Sequence, residues 1–144
     1  MERQTIYRAL FLLPITSAPI ENGGVLVEDG FIRAVGAYHD LTAAHSGATV
    51  VDFGESILLP PMVNAHTHLE LSSFDSWAKN ANEPVAPIDF VDWILWLVRV
   101  RRGITEEQFC ESLLDGLQTS LCAGTGAVGD IFTTLSCVAA YQSS

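Results

Sequence analysis

Two histidines separated by a single residue, His66 and His68, have the spacing of a pair of metal ligands. They end an apolar run that begins at Met62, and such a run predicts a β-strand. Side chains two residues apart on a strand project from the same face, so both imidazoles would point the same way. Neutral imidazole is a common metal ligand, which makes one divalent metal ion the simplest occupant. A catalytic zinc needs about three protein ligands and an open position, so two further ligands must come from elsewhere.

The residues before this pair predict a series of short strands. Asp29-Gly30 is a dipeptide that tolerates positive φ and therefore favours a tight hairpin between its flanking apolar runs. Residues 37–48 are less periodic and are predicted to form a connector, with His39 and His45 as surface residues. Many strands in few residues predict an antiparallel sheet that is part of a small β-sandwich. The predicted strands are residues 7–13, 25–27, 31–35, 49–53 and 56–59.

The residues after the pair predict two helices and a further strand. Residues 88–102 are apolar with acids at the start and bases at the end, which complements a helix dipole. Thr105 and Gln108 have the spacing of a capping box, which predicts the start of a second helix. Gly124 would end that helix, a strand is predicted at 127–132, and a further helix near Thr134. This order is typical of α/β proteins. The second helix would bury a stripe formed by Phe109, Leu113, Leu117 and Leu121.

The composition limits the classes of partner. The chain has 144 residues, with 7 basic and 17 acidic side chains and a formal net charge of −10. Such a charge disfavours binding to nucleic acid and to anionic membrane surfaces. No apolar run approaches the ~18 residues of a membrane span. The three cysteines cannot all pair within the chain, and we expect reduced thiols in a cytoplasmic protein.

Three motifs in order resemble the amidohydrolase superfamily. Residues 58–70, Leu-Leu-Pro-Pro-Met-Val-Asn-Ala-His-Thr-His-Leu-Glu, are similar to its first metal-binding strand, with Pro61 where the family usually has glycine. Residues 24–36 resemble its N-terminal hairpin and residues 123–130 resemble its second barrel strand. The similarity is closest to the metal-dependent deaminases and chlorohydrolases that act on substituted heterocycles.

This resemblance implies an α/β fold: the first two or three units of a TIM-like (β/α)8 barrel, preceded by part of a small β-sandwich. The implied domains are residues 1–58 for the sandwich part and 59–144 for the barrel part. In the family, two more histidines and an aspartate complete the site of one divalent metal, usually zinc and sometimes iron. The implied function is a metal-dependent hydrolase of carbon–nitrogen bonds other than peptide bonds, which deaminates an amino-substituted heterocycle with a metal-activated water.

The length is short for that fold. An eight-stranded barrel needs about 250 residues, far more than 59–144 provide. We therefore expect an N-terminal part of an enzyme that is inactive alone, with His66 and His68 as metal ligands and no catalytic residue within this chain. The whole enzyme would bind a small heterocycle, and homo-oligomers are compatible with the sequence.

Two residues are candidate substrate contacts. Glu70 lies two positions beyond His68, so it could contact the substrate or orient a ligand, although strand exits often carry polar residues. Trp93 and Trp96 lie about one turn apart in a predicted helix, and Trp93 is assigned to stacking on the heterocycle; packing in the core is the alternative for both. Asp130 could face the pocket or serve as a cap or turn residue.

A stand-alone, non-catalytic binding or assembly module is the alternative function. Its length would suit a single domain, but a sheet with unpaired edges argues against it.

Overall fold

The computed structural model describes residues 4–83 and 85–143. These divide at Pro60 and Pro61 into two compact units, each with its own strands. Both units are mixtures of strands and helices, so the chain is an α/β protein. None of the helices in this described part is long and apolar enough to cross a membrane.

The first unit is a five-stranded sheet with one helix. Its central strand β1 pairs antiparallel with β2, and β2 pairs antiparallel with β3. The strands β4 and β5 both pair with β1 in parallel, so the sheet is mixed and the prediction of an antiparallel sheet was wrong. The strands are β1 (Gln4–Leu12), β2 (Ile20–Glu28), β3 (Phe31–Ala37), β4 (Thr49–Asp52) and β5 (Ile57–Leu58).

The predicted turn at Asp29-Gly30 is present, whereas the segment predicted as an irregular connector is partly helical. Asp29 and Gly30 have φ of 50° and 81° and form the turn between β2 and β3. Residues predicted as a connector contain a helix, α1 (Tyr38–Ala44), which starts without a side-chain cap. The helix forms because Leu41 buries its side chain against Ile6 and Leu26 of the sheet, a contact that local pattern does not reveal.

The second unit is a β–α–β crossover. The strands β6 (Met62–Thr67) and β7 (Thr125–Asp130) form a two-stranded parallel sheet. Between them lie a 3-10 turn (Leu69–Leu71) and three helices, α2 (Phe74–Asn80), α3 (Phe90–Arg101) and α4 (Glu106–Cys122). A second 3-10 turn (Leu135–Cys137) and α5 (Val138–Ser143) follow β7.

The caps of α3 and α4 explain where these helices begin. Asp89 accepts hydrogen bonds from the main-chain N–H groups of Val91 and Asp92. Thr105 and Gln108 form the predicted capping box, in which each side chain accepts a main-chain N–H of the other residue. These bonds satisfy N–H groups that have no acceptor within the helix.

The core of the second unit lies among its helices and turns. Trp77, Trp96, Phe109 and Leu113 are buried there together with Leu69. The predicted stripe on α4 ends early: Leu121 is 61% exposed, and small residues take part in the buried face. Gly116 is one of them, because a Cβ atom there would lie 3.0 Å from the carbonyl oxygen of Leu69. Only a glycine therefore allows α4 to lie so close to the turn after β6.

A disulfide bond joins Cys110 of α4 to Cys137 of the turn after β7. The expectation of three reduced thiols was therefore wrong. The Cα atoms of Cys110 and Cys137 are 5.2 Å apart, which lies in the range that disulfides require. This distance depends on packing and not on sequence spacing. Cys122 is a free, exposed thiol.

Candidate metal centre

His66 and His68 lie side by side at the C-terminal end of β6. His66 is in the strand, His68 directly follows it, and both side chains are exposed. The centroids of the two rings are 5.4 Å apart and their planes are inclined by 71°. The structure thus brings together the two residues that the sequence proposes as ligands.

The ring of His68 has a defined hydrogen-bonding partner. Its Nδ1 lies 3.1 Å from the main-chain carbonyl oxygen of Ile131. A carbonyl oxygen only accepts, so this contact is a hydrogen bond when Nδ1 carries the proton. In the neutral ring, Nε2 then has the free lone pair and is the nitrogen available to a metal.

The donor set fits part of a metal site. With metal–nitrogen bonds of about 2.1 Å, two imidazole rings on one tetrahedral ion have centroids roughly 5 Å apart. The observed separation of 5.4 Å is compatible with this geometry. Within residues 4–83 and 85–143, no group of three or more His, Cys, Asp or Glu side chains could hold a metal ion. The described residues therefore provide two candidate ligands and not a complete site.

Residues at the end of β7 support the His68 backbone. The pairing of β6 with β7 ends at Thr67 and Asp130, and Ile131 donates its N–H to the carbonyl oxygen of Thr67 over 2.8 Å. Close approach of the two strands depends on Gly129, because a Cβ atom there would lie 2.5 Å from the carbonyl oxygen of Ala65. The strand that carries the candidate ligand His66 is thus held tightly against its neighbour.

Glu70 is completely buried and its carboxylate is fully engaged. It accepts hydrogen bonds from the N–H groups of Thr133 and Thr134 and from the Thr133 hydroxyl. Arg101 of α3 lies 3.4 Å from the same carboxylate. Burial raises the pKa of Glu70, but the hydrogen bonds from Thr133 and Thr134 outweigh it and hold the pKa below its ordinary value. This arrangement favours support of the loop after β7 over contact with a substrate.

The two tryptophans of α3 differ in exposure. Trp96 is buried and donates its indole N–H to the carbonyl oxygen of Glu83 over 2.9 Å. Trp93 is half-buried and stacks on Phe90 with a centroid distance of 6.1 Å. Trp93 is therefore the one of the two that retains surface for another contact.

Sequence patterns missed the partners that hold these residues. The Ile131 carbonyl contacts His68, and Thr133 and Arg101 contact Glu70. Each of these partners lies at least 31 positions away in sequence. In this region, the sequence analysis singled out only Asp130, near the end of a predicted strand, as a residue that could face the pocket or serve as a cap or turn residue. Its carboxylate bonds to Leu69 and Tyr141.

Similar proteins bear on the function of this centre. No family model matches the chain. A 5-methylthioadenosine/S-adenosylhomocysteine deaminase of Nitratidesulfovibrio vulgaris is 32% identical over 114 residues, which cover 78% of this chain and 24% of that protein. The chain thus spans about a quarter of the length of this curated relative.

Solved structures show the same fold. The aminofutalosine deaminase of Helicobacter pylori in complex with methylthio-coformycin has a TM-score of 0.78 and 27% identity, covering 97% of this chain and 33% of that one. An adenosine deaminase from Xanthomonas campestris with bound zinc has a TM-score of 0.74 and 18% identity, covering 98% and 32%. With the paired histidines at the end of β6 and these relatives, the chain belongs to the amidohydrolase superfamily.

Proposed function

We propose that this chain is part of a metal-dependent hydrolase that removes an amino group from a small heterocycle. The observation that carries the proposal is the pair formed by His66 and His68, whose rings lie 5.4 Å apart on an exposed strand end. Deaminases among the relatives support the reaction class, and the zinc bound to one structural neighbour supports a divalent metal, for which zinc is the proposed ion and iron the alternative.

The proposed fold of the whole protein is a TIM-like barrel with residues 59–144 as its start and a β-sandwich that includes residues 1–58. Parallel sheets are normally covered on both faces, yet Met62 and Val63 of β6 are 62% and 70% exposed. Such strands fit inside a larger sheet. The missing ligands and the proton-transferring acid would then belong to later strands of the whole protein.

Within this chain, His66 and His68 would hold the metal, with Nε2 of His68 directed by the Ile131 carbonyl. A bound divalent metal would lower the pKa of a water molecule, so that hydroxide is available near neutral pH. Trp93 is the proposed stacking surface for the heterocycle, because this residue is only half-buried. For Glu70, the sequence proposed substrate contact or orientation of a ligand, and its buried contacts favour support of the loop after β7 instead.

Two further properties belong to the proposal. The cytoplasm is the proposed compartment, although disulfide bonds such as Cys110–Cys137 are rare in cytoplasmic proteins. Homo-oligomers are also proposed, and light scattering after size exclusion measures them directly.

The test uses the protein encoded when the reading frame is extended beyond Ser144, called here the extended protein. We expect about one divalent metal ion per chain and ammonia release from an amino-purine, amino-pyrimidine or amino-triazine. His66→Ala should lower both metal content and ammonia release at least tenfold, because it removes a ligand.

His39→Ala is the matched control, since it removes an exposed histidine of the first unit. It should leave both quantities unchanged. A stop codon directly after Ser144, or a His66→Ala protein with undiminished metal and activity, would contradict the proposal. A folded, metal-free 144-residue product would support the non-catalytic module instead.

A further inference from the structure

Asp130, the last residue of β7, has both carboxylate oxygens engaged. Its Oδ1 accepts the main-chain N–H of Leu69 over 2.8 Å. Its Oδ2 accepts the hydroxyl of Tyr141 in α5. The carboxylate therefore joins the turn after β6 to the segment after β7.

The Leu69 N–H needs such an acceptor because it lies where the strand stops. Pairing between β6 and β7 ends at Thr67, and Leu69 begins a 3-10 turn. The first N–H groups of a helical turn have no acceptor within the turn. A carboxylate provides a charge-assisted hydrogen bond there, which is stronger than a bond between neutral groups.

The residues directly before and after His68 are both hydrogen-bonded to the end of β7 or to the residue that follows it. The carbonyl of Thr67, before it, accepts the N–H of Ile131, and the N–H of Leu69, after it, donates to Asp130. The ring of His68 bonds to the Ile131 carbonyl. Asp130, the last residue of β7, and Ile131, which follows it, thus hold the backbone and the ring of His68.

We propose that Asp130 is a positioning residue for metal ligand His68: its bond to the Leu69 N–H sets the backbone from which the imidazole projects. Tyr141 orients the carboxylate for this task. The inference rests on the proposed function, because it concerns affinity for the metal of that site. It assigns to Asp130 no contact with the metal or the substrate.

The experiment measures Co²⁺ affinity of the extended protein by competition with a chelator, together with the visible spectrum of the bound cobalt. Asp130→Ala removes the acceptor and should weaken Co²⁺ binding about 10–100-fold, the usual effect of losing a group that orients a ligand. It should also alter the cobalt spectrum. Asp130→Asn keeps an oxygen that accepts the Leu69 N–H and should restore most of the affinity.

Asp89→Ala is the matched control, because it also removes a carboxylate that accepts main-chain N–H groups, at the start of α3. It should lower thermal stability without changing the cobalt affinity or spectrum. A folded Asp130→Ala protein with wild-type cobalt affinity would overturn the inference, and so would an Asp130→Asn protein as weak as Asp130→Ala.

If Asp130→Ala does not fold, Tyr141→Phe decides. Weaker cobalt binding in that variant supports the positioning role, and unchanged binding overturns it. Failure of the proposed function has a different signature: the wild-type extended protein would bind no stoichiometric metal and release no ammonia.

Discussion

The guanidinium of Arg101 lies 3.4 Å from the buried carboxylate of Glu70. Arg101 also donates to the Thr133 hydroxyl over 2.7 Å and lies over the ring of Phe109 at 4.9 Å from its centroid. One side chain of α3 thereby connects the turn after β6, the loop after β7 and the start of α4. The two loops on the histidine side of the sheet are held together by this contact.

Removing the Glu70 carboxylate should destabilise the second unit. Glu70→Ala leaves Arg101 and the N–H groups of Thr133 and Thr134 without their acceptor, which costs about 2–4 kcal/mol in free energy of unfolding. Chemical denaturation followed by tryptophan fluorescence measures it, because Trp77 and Trp96 lie in the same core.

Glu83→Ala is the control for this change, since its ion pair with Arg99 is exposed and such pairs contribute little. The destabilisation should be much smaller than for Glu70→Ala. Equal effects of the two substitutions would contradict a special role of the buried carboxylate.

Gly116→Ala should be more harmful than an alanine in a helix usually is. The added Cβ would overlap the Ser72 hydroxyl and lie 3.0 Å from the Leu69 carbonyl oxygen, so α4 or the turn must move. Overpacking of this kind costs about 1–3 kcal/mol, and thermal unfolding measures it. Gly103→Ala, whose Cβ would be 3.9 Å from its nearest neighbour, serves as control and should be nearly neutral.

The Arg8–Asp52 ion pair should make the first unit sensitive to acid. The hydrogen bond from Arg8 and that from the Gly54 N–H lower the pKa of Asp52 below its ordinary value of 3.8. A carboxyl with a lowered folded pKa contributes stability above its unfolded pKa and loses it as pH falls through the folded pKa. The stability difference between wild type and Asp52→Asn should therefore be largest above pH 3.8 and shrink in more acidic solution.

Asp29→Asn, at the exposed hairpin turn, is the control for this titration. Asparagine also tolerates the φ of 50° at this position. Urea denaturation at several pH values compares the variants. A difference for Asp52→Asn that is constant with pH would show that the ion pair does not act through its charge.

Breaking the Cys110–Cys137 bond should lower stability, because it closes a loop of 27 residues. The loop-entropy relation gives a decrease of about 3–4 kcal/mol for Cys110→Ser. Mass spectrometry of unreduced peptides should find Cys110 linked to Cys137 after rapid trapping of thiols in lysed cells. Cys122→Ser should change neither the linkage nor the stability, and finding all three thiols reduced would contradict the bond.

Local signals predicted the features that depend on neighbours in sequence. The hairpin at Asp29-Gly30 and the capping box of Thr105 and Gln108 each need only a few consecutive residues, and both formed as predicted. The His66-x-His68 alternation likewise follows from strand geometry alone, and the rings lie together.

Features that depend on distant partners were not predictable in this way. The helix α1 forms around a contact of Leu41 with the sheet, and the parallel pairing of β4 with β1 joins segments 44 residues apart. The engaged state of Glu70 depends on Thr133, 63 residues later. Residue type and spacing identify a side chain that could bind a metal or a substrate. Only the fold determines which neighbours that side chain contacts.

Ile131 lies 63 positions after His68, so the surroundings of the proposed metal ligands are completed later than the ligands themselves are synthesised. At about 5–20 residues per second, a ribosome needs several seconds to add this stretch. During that interval the nascent chain carries both imidazoles without the carbonyl that selects a tautomer for one of them. The contact that sets the proposed tautomer of His68 can therefore form only after the crossover has been translated.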